Sequence, residues 1–122
     1  MQPLGVHHVS INVTDVEAAR AFYTGVLGLA ERTDRPDFRF PGAWLDVGPG
    51  GQQVHLIGAA SPPNLGQHFA LRVADLPATV ADLRAQGVEV SDVSPVGPGH
   101  QAFLTDPSGN AVELYAGPPA GR

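Results

Sequence analysis

The fold class this sequence predicts is α+β: two βαβββ modules forming a curved, half-open mixed sheet. Three observations predict it. Apolar residues alternate over short β-branched stretches and then switch to a helical period, and this order occurs twice along 122 residues. Each helical stretch begins at an Asp and ends at a Gly, as capping requires. The two halves also match residue by residue: His8-Val-Ser-Ile-Asn-Val-Thr-Asp-Val16 lies over His68-Phe-Ala-Leu-Arg-Val-Ala-Asp-Leu76, and Val54-His55-Leu56-Ile57 over Val112-Glu113-Leu114-Tyr115. A match at both ends of both halves marks an internal duplication.

The elements follow in order. Val6 to Val13 alternates and reads as a strand. Asp15 caps a helix with Val16, Ala19, Tyr23 and Val26 on one stripe, and Gly28 stops it. Short strands are expected near Leu29–Thr33, Ala43–Val47 and Gln53–Ile57. The first module thus covers about 5–58. Residues 59–66, rich in Pro, Gly and Ser, form a linker. The second module, about 67–116, opens with a strand over Gln67 to Val73. Asp75 caps a helix with Pro77 in its first turn, Leu76, Val80 and Leu83 on its stripe, and Gly87 past its end. Strands follow near Val88–Ser91, Gln101–Thr105 and Ala111–Ala116. Residues 117–122 read as a flexible tail. The whole chain is one domain by length.

Composition narrows the function. A formal net charge of -5 gives no footing for nucleic acid or an anionic membrane surface. No apolar run is long enough to span a membrane, and the first residues carry no signal-peptide pattern, so a cytoplasmic protein is expected. There is no cysteine, which excludes thiolate nucleophiles and thiolate metal sites, and no lysine, which excludes Schiff-base chemistry. No phosphate-binding loop and no serine nucleophile elbow is present.

Strand parity then selects candidate residues. Side chains on a strand alternate between faces, and the apolar face must meet the helices. His7, Val9, Ile11 and Val13 share the helix side of the first strand, which puts His8 on the other face. The same argument places His55, His68 and Glu113 on the faces that no helix covers. Three neutral imidazoles and one carboxylate suit one divalent ion such as zinc, nickel, manganese or iron, with room for water or substrate. His100 and His7 lie outside the duplicated pattern.

These residues carry a resemblance. His8-Val-Ser-Ile-Asn-Val, Ala21-Phe-Tyr-Thr-Gly-Val-Leu-Gly28, His68-Phe-Ala-Leu-Arg-Val and Asp106-Pro-Ser-Gly-Asn-Ala-Val-Glu113 resemble the vicinal oxygen chelate superfamily of glyoxalases, bleomycin-resistance proteins and extradiol dioxygenases, and the chain looks like a glyoxalase-like member. The resemblance implies metal ligands on the first, fourth, fifth and eighth strands, here His8, His55, His68 and Glu113. His55 stands where glyoxalase I enzymes commonly carry Glu, which leaves Glu113 as the single carboxylate. The expected function is a metal-dependent lyase or isomerase acting on a small oxygenated substrate chelated to the ion, with Glu113 as the catalytic base. An extradiol-type dioxygenase and a non-enzymatic drug-binding protein are the alternatives. Arg39 and Arg72 are candidates to hold a substrate anion, and Trp44 and Tyr115 to wall the pocket. A homodimer is expected, since open sheet edges want covering.

Overall fold

The computed structural model describes residues 1–118. The chain forms two compact units, Met1–Pro63 and Asn64–Arg122. Each is a βαβββ module with its own four-stranded mixed sheet.

In the first unit, β1 (His8–Val13) pairs in parallel with β4 (Gln52–Gly58), β4 antiparallel with β3 (Gly42–Val47), and β3 antiparallel with β2 (Ala30–Glu31). Asp15 caps α1 (Val16–Ala21), its carboxylate accepting from the Ala18 N–H at 3.0 Å. The expected stripe through Val26 is reached by a different winding. After Ala21 the chain opens into a π-helical turn, Phe22–Val26, in which the Leu27 N–H donates to the Phe22 carbonyl five residues back. Tyr23, fully buried, anchors that turn. α1 packs on β3 and β4, closing a core of Val13, Ala19, Tyr23, Ala43, Leu45, Val54 and Leu56.

The second unit repeats the plan. β5 (Phe69–Arg72) pairs in parallel with β8 (Ala111–Ala116), β8 antiparallel with β7 (Gly99–Thr105), and β7 antiparallel with β6 (Ser94–Val96). Asp75 caps α2 (Leu76–Ala85) by accepting from the Ala78 N–H, and Gly87 follows at φ 85°, the left-handed conformation that ends the helix. α2 packs on β7 and β8.

One strand lies elsewhere than expected. Val88–Ser91 is not a strand. The Arg84 guanidinium takes the Val90 and Ser91 carbonyls, which are therefore not offered to a ladder. The sixth strand is Ser94–Val96 instead. Pro95 argues against a strand there, but this is an edge strand pairing only with β7, so a missing N–H costs little. The other bounds shift by a residue or a few. Of the expected flexible tail, residues 119–122 lie outside the described residues. No helix among the described residues is long and apolar enough to cross a membrane.

Candidate functional site

The duplication extends to strand register. Val9 pairs with Val54 and Phe69 with Val112, so His55 and Glu113 each lie one residue further along equivalent strands, beside His8 and His68. The hairpin partners match as well: Trp44 opposes His55, and Phe103 opposes Glu113. Each unit therefore presents an aromatic residue, a strand-end histidine and one further metal-competent side chain on the face away from its helix.

In the first unit the three rings stack. His55 lies 4.0 Å from His8 at 14° and 4.5 Å from Trp44 at 10°. It is only 8% exposed, so the face without a helix is not bare there; flanking rings cover it. Its Nε2 meets Gln53 Oε1 at 2.8 Å. An amide oxygen only accepts, so Nε2 carries the proton and the lone pair sits on Nδ1. Burial, aided by positive charge on His8, His7, Arg32 and Arg35, pushes the His55 pKa down to about 4. His55 is thus a neutral imidazole across the physiological range. His7, expected on the helix side, is exposed and instead meets His8, Nδ1 to Nδ1 at 2.9 Å, with its ring edge-on.

In the second unit His68, one residue ahead of β5, is held at both ring nitrogens. Nδ1 lies 2.8 Å from the Gly66 carbonyl, and Nε2 lies 2.9 Å from Glu113 Oε1. A carbonyl only accepts, so Nδ1 carries a proton. The Gly66 carbonyl raises the His68 pKa against a smaller effect of burial, and the Glu113 carboxylate raises it further. Phe103 meets the His68 ring edge-on at 5.2 Å.

The structure therefore gathers the four metal candidates as two pairs, His8 with His55 and His68 with Glu113, each inside its own unit. Among the described residues, no group of three or more His, Asp or Glu side chains is gathered as a metal site. Of the other candidates, Trp44 lies on this face, stacked on His55. Tyr115 of β8 opposes Arg72 of β5 in the ladder and lies over Gly99, where an added Cβ would come 2.7 Å from its hydroxyl. Arg39 and Arg72 are exposed.

Two residues were missed by the sequence reading. Gln53 follows from strand parity as a neighbour of His55, but its hydrogen bond does not. Arg35 sits in a loop without periodicity. Its guanidinium lies over Gly42, where a Cβ would come 2.9 Å from Nη2, and Nη2 donates to the Phe40 carbonyl at 2.9 Å.

With this geometry in hand, the relatives can be placed. Residues 5–114 match the model of the Glyoxalase/Bleomycin resistance protein/Dioxygenase superfamily. The chain belongs to that superfamily. It is similar to a lactoylglutathione lyase of Salmonella typhimurium, 28% identical over 127 residues that cover 94% of each chain. A glyoxalase-family structure from Bacillus anthracis superposes with a TM-score of 0.85 at 26% identity, covering 97% of this chain and 98% of that one. TnmS3, an antibiotic binding protein from Streptomyces sp. CB03234, superposes with a TM-score of 0.74 at 30% identity, covering 97% and 99%.

Superfamily members typically use a divalent metal, and the donor chemistry here fits one. His68 Nε2 and Glu113 Oε1 are both acceptors once Nδ1 holds its proton on Gly66, so a 2.9 Å approach needs a cation between them, a proton or a metal. Fixing a ligand histidine through Nδ1 on a backbone carbonyl is the usual arrangement around metals. His55, neutral well below pH 7, adds a lone pair that needs no deprotonation.

Proposed function

We propose that the chain is a glyoxalase-type lyase or isomerase dependent on a divalent metal, acting on a small substrate that offers two oxygens to the ion. His8, His55, His68 and Glu113 are its ligands, the two pairs coming from one chain or from two copies in a homodimer. The ion, when bound, supplies Lewis-acid polarisation of the substrate oxygens and a template for them. The rest is done by side chains of the protein. Glu113 is the base: its Oε1 lies 2.9 Å from His68 Nε2, so a proton can be held there and returned. His68, tied at Nδ1, keeps Nε2 aimed at that oxygen. His55 binds without competing for protons. Trp44 and Tyr115 limit water at the site, and Arg39 and Arg72 draw an anionic substrate by charge.

The observation that carries this reading is the His68–Glu113 pair, an imidazole nitrogen and a carboxylate oxygen held 2.9 Å apart at the position equivalent to His8–His55. The lactoylglutathione lyase relative supports the reaction class. The test is elemental analysis, then assays of formation and breakdown of lactoylglutathione and of a panel of two-oxygen chelating substrates, with each metal restored. Glu113→Gln should keep the fold and much of the metal and lose on the order of a hundredfold in turnover. A chelator-treated protein at full rate, or Glu113→Gln at the parent rate, would overturn it.

One observation favours a second reading, sequestration without turnover. TnmS3, at 30% identity, is an antibiotic binding protein. Tight binding of a small molecule with no product from any metal form would decide for it.

A further inference from the structure

The first unit carries an aromatic ledge that neither its core nor its metal candidates explain. Phe38 and Phe40 lie in the loop before β3, 40% and 42% exposed, with their rings stacked at 5.2 Å and 9°. Phe38 continues to Trp44 at 6.1 Å, and Trp44 to His55 and His8. Two large phenyl rings left in water are a cost that a core position would have removed. The two rings hold each other in place, so little ordering of the pair itself remains to be done on binding.

A cation stands over the same rings. The Arg35 guanidinium carbon lies 4.9 Å from the Phe38 centroid and 5.4 Å from that of Phe40. One Nη is fixed on the Phe40 carbonyl, and glycine at position 42 leaves the space the group occupies. Arg20 pairs with Glu17 and Glu31, Arg32 with Asp34 and Asp46, and Arg84 with Asp92. Arg35, Arg39 and Arg72 make no ion pair among the described residues, and of these Arg35 is the one that lies over aromatic rings. An arginine fixed in place but unpaired, in a chain of net charge -5, is arranged for an anion from outside.

We infer that Arg35, Phe38, Phe40 and Trp44 form a binding site for a planar aromatic anion, its ring stacked on the phenyl ledge and its carboxylate on the Arg35 guanidinium. This rests on the reading of the helix-free face of the first unit as the substrate face. It deepens that reading by naming the chemical class of what binds.

The chain has a single tryptophan, so the Trp44 indole N–H gives one resonance that reports the ledge directly. 2-Naphthoate is the probe, with neutral 2-naphthalenemethanol and non-aromatic cyclohexanecarboxylate beside it. All three are titrated into chelator-treated and metal-loaded protein by calorimetry and by that resonance. 2-Naphthoate should bind one per chain and shift the indole signal. The alcohol should bind about tenfold or more weakly, the scale of a charge-assisted pair, and cyclohexanecarboxylate should leave the signal in place. Arg35→Gln should bring 2-naphthoate down to the level of the alcohol, Arg84→Gln should not, and Phe38→Leu with Phe40→Leu should weaken both aromatic probes. A parent protein whose indole signal ignores millimolar 2-naphthoate overturns the inference, as does an Arg35→Gln protein of unchanged affinity. So does a Phe38→Leu, Phe40→Leu protein that only dissociates from dimer to monomer, since the ledge would then be a self-association surface. Metal-free protein that binds 2-naphthoate but takes up no metal keeps this inference and removes the metal reading. Metal uptake without 2-naphthoate binding does the reverse.

Discussion

Acid should unfold the first unit through His55. An unfolded histidine takes its proton near pH 6.5. In the folded chain burial between Trp44 and His8 delays that to about 4. Between those two values the unfolded state binds a proton that the folded state refuses, so stability falls as pH drops from about 6.5 to about 4 and levels off below. The gap of roughly 2.5 units corresponds to about 3 kcal/mol at most. At 8% exposure little of this is lost to solvent screening. The assay is urea unfolding of chelator-treated protein at pH 7, 6, 5 and 4, followed by Trp44 fluorescence, which reports this unit because Trp44 stacks on His55. Carboxylates also titrate over this range, so the comparison is with His55→Phe, which keeps a flat ring in the stack and removes the titration. The parent should lose more stability than His55→Phe between pH 7 and pH 4, by up to about 3 kcal/mol. Equal losses in the two proteins would refute the burial argument.

Asp106→Ala should cost about 3 kcal/mol and lower Tm by several degrees in thermal unfolding, because a carboxylate only 5% exposed accepts from the Ser108 and Asn110 N–H groups and from the Asn110 amide, all at 2.9 Å, across the β7–β8 turn. One equivalent of divalent metal per chain is expected by elemental analysis, and a His8→Ala, His68→Ala protein with full metal content would contradict the ligand set. Metal affinity, read by competition with a chelator, should fall as pH falls, with His68 protonating before His55 because the pKa of the first is raised and that of the second lowered. Sedimentation should show a homodimer; a monomer over a wide concentration range would exclude assembly of the site from two copies.

Much of the fold was legible because two periods compete cleanly in this sequence. Val9, Ile11 and Val13 alternate with polar neighbours, and Leu76, Val80 and Leu83 follow a helical stripe behind an Asp cap. The sixth strand was misplaced because Val88–Ser91 has the alternation of a strand while its carbonyls are claimed by Arg84, a side-chain contact that no periodicity records. The faces of His8, His55, His68 and Glu113 followed from parity alone. The enclosure of His55 did not: it requires knowing that Trp44 sits opposite, and that depends on hairpin register. Arg35 was invisible for a related reason. Its loop has no period, and the glycine that seats it announces only a missing side chain.

The same backbone, used twice, gives its two halves opposite electrostatic character. At matched positions an aromatic residue opposes the fourth or eighth strand, Trp44 across from His55 and Phe103 across from Glu113. In the first unit the indole lies flat on the imidazole, strips it of water and keeps it neutral to about pH 4. In the second the phenyl and imidazole rings meet at 79° instead of stacking, and Glu113 faces a ring nitrogen. A neutral ring locked between two others can offer a lone pair but is poorly placed to trade a proton. A carboxylate 2.9 Å from an imidazole whose other nitrogen is tied to the backbone can trade one with almost no rearrangement. On the proposed function, the proton would be traded at Glu113 in the second unit, and the difference between His55 and Glu113 after duplication would be a division of labour, one half holding and the other exchanging.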